Sequence, residues 1–304
     1  MTTNVIPASF RDVVATGHDG FNTIYDAPIL SPLGSCLLDV NAPNGTAIFP
    51  NVMPVGMGEK WARGAKRGGE ELTFDGKLIR VDKYSDMLWQ HCEDREDFKQ
   101  LLTATMEVVG SLKKSAMKHL QERPFHTLLE NPENLLTGSP MFGKHVLRMP
   151  GREDDESAPT STITNEIVGS DNSRPSFYFL GEKAMVRATQ SQPVLQLPQF
   201  DVEQFERDVF RAAWRARCAT VAGNPAAALR VTGETFTADL LKEVRAMTAG
   251  WRNQRGDYLA PRLTHIVFRA DDPNLELAKD LLLSPLLQGS TNRFATEPLQ
   301  ILTF

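Results

Sequence analysis

The chain has 304 residues, 41% of them hydrophobic and 23% charged, with a formal net charge of −5. That is enough apolar material for one large domain or two linked ones, and the interspersed charges argue against a dedicated nucleic-acid binder with a basic face. Cys36, Cys92 and Cys218 are odd in number and far apart, so no disulfide framework or zinc knuckle follows and a reducing compartment is the default. MTTNVIPASFRDVV carries no signal-peptide pattern and no run nears the ~18 apolar residues of a membrane span, so a soluble chain made inside the cell, with no membrane partner, is expected.

In chain order, the first fifty residues are rich in Pro, Gly and Asn (Pro7, Gly17, Gly20, Pro28, Pro32, Gly34, Pro43, Gly45, Pro50) and read as an extended arm that must lie on something else. Residues 51–69 are glycine-rich and locally basic, with Lys60, Arg63, Lys66 and Arg67 against Glu59. Then comes EELTF-DG-KLIRV, where Asp75-Gly76 between strand-like runs predicts a type I′ hairpin turn. An isolated hairpin is marginal in water, so this projection is expected to rest on another surface, one that can belong to another chain.

A helix is predicted over 94–123. Asp94 serves as its cap, Glu96 and Asp97 suit its positive end, and Phe98, Leu102, Met106, Val109, Leu112, Ala116 and Leu120 form the apolar stripe. Lys113, Lys114, Lys118 and His119 favour its C-terminal end, Pro124 stops it, and a second short helix is expected over 126–136. Residues 150–174, with Glu153, Asp154, Asp155 and Glu156 in a row, read as a solvated loop. Strand texture follows in SFYFL, KAMVRATQ and PVLQLP. Residues 205–222 fit both periods; the strand reading alternates Phe210, Ala212, Trp214, Ala216 and Cys218 against Arg211, Arg215 and Arg217. Thr237 caps a helix striped by Leu240, Val244, Met247 and Trp251. A strand LTHIVF follows, then a helix with Asp272 at its N-cap and Pro273 at its first position, and LQILTF closes the chain as a strand.

No convergent chemistry stands out. The six histidines, His18, His91, His119, His126, His145 and His265, lack metal-ligand spacing. His91 and Cys92 are adjacent and point apart, and His265 reads as a satisfied interior or edge residue. The glycine-rich stretch lacks the phosphate-loop order, and no nucleophile elbow is present. The acidic run fits a solvated loop better than a cation site, and Arg211, Arg215 and Arg217 fit a charged sheet face better than a nucleic-acid contact. No catalytic residue, metal or cofactor is expected.

Several segments together resemble one family. The opening VIPASFRDVVATGHDGFNTIYDAP, then EKWARGAKR followed by TFDGKLIRVDKYS, then LLTGSPMFGKHVL, resemble parts of the major head (capsid) subunit of Mu-like tailed phages. SFYFLGEKAMVRA, VFRAAWRARCATVAG, TADLLKEVRAM, APRLTHIVFRADDPNLELAKDLLLS and TNRF…EPLQILTF follow in that family's order. The central helix is longer here, and the 150–174 region shorter and more acidic. The resemblance implies the α+β capsid fold shared by tailed-phage heads, encapsulins and herpesvirus floors. Its parts would be an N-terminal arm (1–48), an extended β-hairpin loop (49–84), a peripheral domain (85–222) with spine helix 94–123 and polar loop 150–174, and an axial domain (223–304). It also favours strand over 208–222.

The function so implied is a self-assembling subunit of the pentamers and hexamers of an icosahedral head around double-stranded DNA. The chain would be assembled in the host cytoplasm and located in the virion. Its partners would be copies of itself, portal, scaffold or decoration proteins, and packaged DNA held non-specifically. Inter-subunit contacts are expected at Trp61, Arg63, Lys66, Arg67, Asp75 and Gly76, and deleting 56–80 is expected to leave a folded subunit that cannot close shells. A chain beginning at Met1 is expected to have lost no N-terminal scaffold segment. The alternatives are an encapsulin-like cargo compartment of the same fold, or a soluble α/β enzyme.

Overall fold

The structure is a computed structural model describing residues 32–52, 74–91, 98–150, 152, 154–171, 173–196, 209–284, 286–287, 290–291 and 299–304. Its strands are β1 (Leu37–Asn41), β2 (Thr46–Val52), β3 (Phe74–Arg80), β4 (Asp82–His91), β5 (Lys144–Leu147), β6 (Ser161–Thr164), β7 (Glu166–Val168), β8 (Phe177–Gly181), β9 (Met185–Gln196), β10 (Val209–Ala222), β11 (Ala228–Thr232), β12 (Leu263–Phe268), β13 (Leu286–Leu287), β14 (Ser290–Thr291) and β15 (Gln300–Thr303). The α-helices are α1 (Phe98–Glu130), α2 (Ala238–Ala249) and α3 (Asn274–Leu283). One sheet runs β1-β9-β10-β4 and another β15-β12-β8-β11-β7; β2–β3, β5–β6 and β13–β14 pair as ribbons. The five-stranded sheet thus draws strands from either side of residue 222.

Strand β10 follows the alternating period. Trp214, Ala216 and Cys218 are buried while Arg215 is exposed, and register shifts about Arg217 change the phase beyond it. Helix α1 lies on this strand and on β4. Its Leu112, Ala116 and Leu120 are buried, and Trp214 Nε1 donates to Ser115 Oγ at 3.2 Å, which in turn donates to Asp86 at 2.7 Å. With 33 residues, α1 spans roughly 50 Å at about 1.5 Å per residue.

Helix α1 departs from the expectation at its C-terminal end. Pro124 does not stop it, and the two helices predicted over 94–123 and 126–136 are one continuous element to Glu130. A proline inside a helix strands the carbonyl four residues earlier, and here Leu120 O accepts instead from Arg187 Nη1 at 3.4 Å. The helix ends where Asn131 turns to φ +48°, a left-handed stop of the kind asparagine tolerates. Residues 94–97, with the expected Asp94 cap, lie outside the described residues.

The five-stranded sheet carries the second core. Phe177, Phe179, Phe236 and Phe268 form a connected aromatic cluster, with Phe177 and Phe268 stacked at 5.2 Å. Against it pack Leu240, Leu241 and Val244 of α2 and Ala278, Leu281 and Leu282 of α3. Thr237 caps α2 as expected, accepting from Leu240 N at 3.2 Å. At α3, Asp272 Oδ1 accepts from Asn274 N at 2.8 Å, so its capping bond forms although Pro273 holds the cap position and the helix begins at Asn274. Between the two sheets lies a third apolar cluster joining Leu33, Cys36, Phe125, Leu128, Tyr178, Met185, Ala222 and Val267, closed by Phe304 stacked on Phe125 at 5.3 Å.

The polar region 150–174 is only in part a loop. Its second half forms β6 and β7, and Ile163 and Asn165 are buried at 1% and 0% exposure. Asn165 accepts from Gly143 N and donates to Met141 O and Pro225 O. Arg230, opposite Glu166 in the β11–β7 ladder, holds that carboxylate at 2.6 Å.

Candidate assembly surfaces

The hairpin predicted around Asp75-Gly76 exists, but its turn is elsewhere. Strand β3 runs straight through both residues, pairing Asp75 with Asn51 and Gly76 with Pro50. The connection is therefore 53–73, and the turn predicted at 75–76 is corrected. A turn propensity read over two residues lost to a ladder formed with a strand more than twenty positions earlier. Pro50 sits in a two-stranded ribbon, where a missing donor is tolerated. Trp61, Arg63, Lys66 and Arg67 lie outside the described residues. Of Asp75 only the backbone is described, and Gly76 is exposed.

The hairpin has two unlike faces because strand side chains alternate. Ala47, Phe49 and Ile79 are buried against Val186, Ala188 and Ala219 of the four-stranded sheet. Ile48 and Leu78, directly opposite one another, are 63% and 53% exposed on the outer face. Ile48 and Leu78 thus form an apolar cross-strand pair on the outer face of the hairpin. Edge strands add further apolar exposure at Met87 of β4 and Val168 of β7.

One Cys–His pair is brought together. Cys36 Sγ lies 3.0 Å from His265 Nδ1, and Thr264 Oγ1 2.8 Å from the same nitrogen. Burial pushes the Cys36 thiol up to about 11, and burial holds the His265 imidazole below its ordinary value. Both groups stay neutral near pH 7, so the pair lacks the thiolate a nucleophile needs; it fastens residues 34–36 to β12. Of the two positions that its strand allowed, interior or edge, His265 takes the interior one. Its partner stands 229 positions away and leaves no local signal. Among the described residues no cluster of His, Cys, Asp or Glu could hold a metal ion, and no helix is long and apolar enough to cross a membrane.

The expected pairing of Lys113, Lys114 and Lys118 with the negative end of the helix is also corrected. Glu130 ends α1, so these lysines stand mid-helix, beyond reach of a macrodipole effect confined to the last turn.

No protein-family model and no curated protein matches the sequence. Solved structures do. A chain from the procapsid of bacteriophage JBD30 superposes with a TM-score of 0.73 at 16% identity, over 98% of this chain and 99% of that one. A chain from the JBD30 capsid gives 0.69 at 14% identity, over 99% of both. One from the JBD30 capsid decorated with minor capsid protein trimers gives 0.64 at 12% identity, over 90% of both. The likeness is one of fold: the α+β architecture is that of tailed-phage capsid chains.

Proposed function

We propose that this chain is the major subunit of a tailed-phage head, joining copies of itself into the pentamers and hexamers of an icosahedral shell around double-stranded DNA. The observation that carries the reading is the superposition on the JBD30 procapsid chain along essentially the full length of both. The order of the resembling segments, from VIPASFRDVV to EPLQILTF, supports a place among Mu-like phages. Contacts that are heterologous and close into rings give capsomers, and many modest interfaces add by avidity. The hairpin's outer pair, Ile48 and Leu78, supplies one apolar patch for such a contact. The 53–73 connection, with Trp61, Arg63, Lys66 and Arg67 and with Asp75 and Gly76 at its root, supplies reach and charge.

In this reading the peripheral domain is 85–222, with α1, β4, β9 and β10, and the axial domain 223–304, with α2 and α3; β7 and β8 of the 85–222 part share the five-stranded sheet with β11, β12 and β15. Residues 1–48 are the arm of this reading, and 37–41 of it pair as β1 with β9 in the four-stranded sheet. The JBD30 capsid decorated with minor capsid protein trimers supports a comparable decoration partner for this chain; portal and scaffold proteins complete the set. The net charge of −5 limits adhesion of packaged DNA to the wall.

Negative-stain microscopy of the expressed chain is expected to show closed icosahedral particles. A monomer that elutes with a bound small molecule would remove the reading, and particles filled with protein rather than DNA would make the shell a cargo compartment. The structure sharpens the loop test. Ile79 of β3 is 2% exposed, so a deletion reaching residue 80 would strip the core. Replacing 54–72 by a short Gly-Ser turn instead keeps β2 and β3. That variant is expected to unfold at the wild-type urea midpoint and to form no closed particles by sedimentation; normal particles would remove the loop from the assembly contacts.

A further inference from the structure

Strands β1 and β2 are joined by a tight turn over 42–45 whose geometry fixes its chemistry. Gly45 N donates to Ala42 O at 2.9 Å, with Pro43 second and Gly45 fourth, the placing that β-turns favour. Gly45 stands at φ +77°. A Cβ there would meet Gln190 Oε1 at 3.5 Å and nothing nearer, so conformation and not space requires glycine. The turn therefore sets an asparagine directly before a glycine, and Asn44-Gly45 is the one such pair in the sequence.

Asn44 is exposed, and its side-chain amide makes no hydrogen bond among the described residues. The other described asparagines differ. Asn134, Asn165, Asn253 and Asn274 are buried, and each side-chain amide donates to a fixed oxygen. Asn131 and Asn224 precede prolines, whose nitrogen carries no hydrogen to lose. Asn41 and Asn51 lie in strand ladders, each before a residue that carries a Cβ.

We infer that Asn44 is a self-modification site, where the chain converts its own amide into a mixture of aspartate and isoaspartate and so slackens the root of the β2–β3 hairpin. The Gly45 nitrogen, on losing its proton, attacks Cγ of Asn44. The N–Cγ bond forms, the Cγ–Nδ2 bond breaks, and Nδ2 leaves as ammonia, taking up the equivalent of the proton that Gly45 N gave up. Water then opens the five-membered imide. Attack at Cγ gives aspartate on an intact main chain; attack at the main-chain carbonyl leaves the chain running through Cγ, an isoaspartate with one more backbone carbon. Solvent water is the only co-reactant.

One described bond opposes the attack, because Gly45 N–H must leave Ala42 O. A single hydrogen bond of this kind slows the folded chain about twofold to about tenfold relative to the unfolded one. The bonds on either side hold other peptide units: Gln190 Nε2 donates to Pro43 O at 3.2 Å and Val81 N to Gly45 O at 3.1 Å. An extra backbone carbon between those two anchors lengthens the link from β1 to the hairpin, whose Ala47, Phe49 and Ile79 are buried on the four-stranded sheet. A subunit carries this chemistry whether or not it builds a shell.

The test incubates the full-length chain in mildly alkaline buffer, in ordinary and in heavy-oxygen water, and maps its peptides by mass spectrometry. Asn44 is expected to lose ammonia and gain one solvent oxygen, giving both products, at a rate within about tenfold of the chain held unfolded in guanidinium chloride. The converted fraction, separated by ion exchange, is expected to unfold at a lower urea midpoint than an Asn44→Asp chain, which has the charge without the extra carbon. If the folded chain keeps the Asn44 amide while the unfolded chain loses it more than about a hundredfold faster, the fold protects the pair and the inference is overturned. Faster loss at another asparagine of the folded chain overturns it too. A converted fraction with the Asn44→Asp midpoint overturns the slackening of the hairpin root.

Discussion

Asn165 lies in the polar region read as loop, yet no atom of it reaches solvent. Its amide ties Gly143 N at 2.8 Å, Met141 O at 2.9 Å and Pro225 O at 3.0 Å, partners 22, 24 and 60 positions away. Leucine has the same branched outline, is bulkier, and makes none of its bonds. Asn165→Leu strands Gly143 N and Pro225 O, while Met141 O keeps His145 Nε2 at 3.1 Å. A destabilisation of about 2–4 kcal/mol is expected for the two orphaned groups, read as a lowered urea midpoint at unchanged slope. A loss under about 0.5 kcal/mol would mean that the region tolerates the change as an ordinary surface does. Thr237 marks the contrast. Its cap bond closes on a residue three positions on and was legible in the sequence; Asn165, whose partners are remote, was not.

At the scale of the element, α1 poses a problem that a side chain from another strand solves. Pro124 is internal and so withdraws the donor that Leu120 O would have had. Arg187, 6% exposed, supplies a replacement while its fork holds Asp39 at 2.6 and 3.0 Å. The two features are therefore coupled through one carbonyl. Arg187→Met is expected to cost about 0.5–1 kcal/mol less in a Pro124→Ala chain than in the wild type, since alanine returns the amide donor. Urea unfolding of the four chains measures the coupling, and strict additivity would break the link. This is also why the helix end was misread: proline stops helices as a rule of local chemistry, and the compensating donor lies 67 positions away. The same limit explains Asp75-Gly76, whose strand partners come from 50–51. Elements whose evidence is local or strongly periodic, such as α2, β12, α3 and β15, were legible, whereas β10 fitted both periods and the family resemblance favoured the strand that it forms. The existence of the hairpin was legible too, though not its turn, and Lys114 and Lys118 were visible but assigned to a helix end that is not there.

At the scale of the whole molecule, three histidines stand at seams between parts. His119 lies between α1 and the β4–β10 pair, its ring 4.4 Å from Tyr84 and 5.5 Å from Trp214. His145 is buried between Met141 O and Thr137, and His265 joins Cys36 to β12. Burial holds each imidazole below its ordinary 6.5, helped at His119 by the charges of Arg123 and His126. The sign follows from which state takes the proton first. As pH falls through 6.5 the unfolded chain binds protons that the folded chain refuses, so stability declines until the depressed folded values are reached; above 6.5 these groups contribute no slope. Among the described residues, the lowered carboxylates Asp155, Asp171 and Asp239 act only as pH falls toward and below 3.8, so the window above is shared by the histidines and Asp272. Asp272, raised by burial, works in the opposite sense there, so the observed loss is a net one. The urea midpoint of the dissociated subunit is therefore expected to fall between about pH 7.5 and about pH 5. His265→Gln is expected to lower the midpoint at the upper pH yet narrow the difference, because one of the three proton-refusing sites is gone. A midpoint flat across that range would show that these seams do not depend on neutral imidazoles. An undiminished difference in the His265→Gln chain would assign the acid response to the other two seams, within the sheet that carries α1 and at the 137–145 turn.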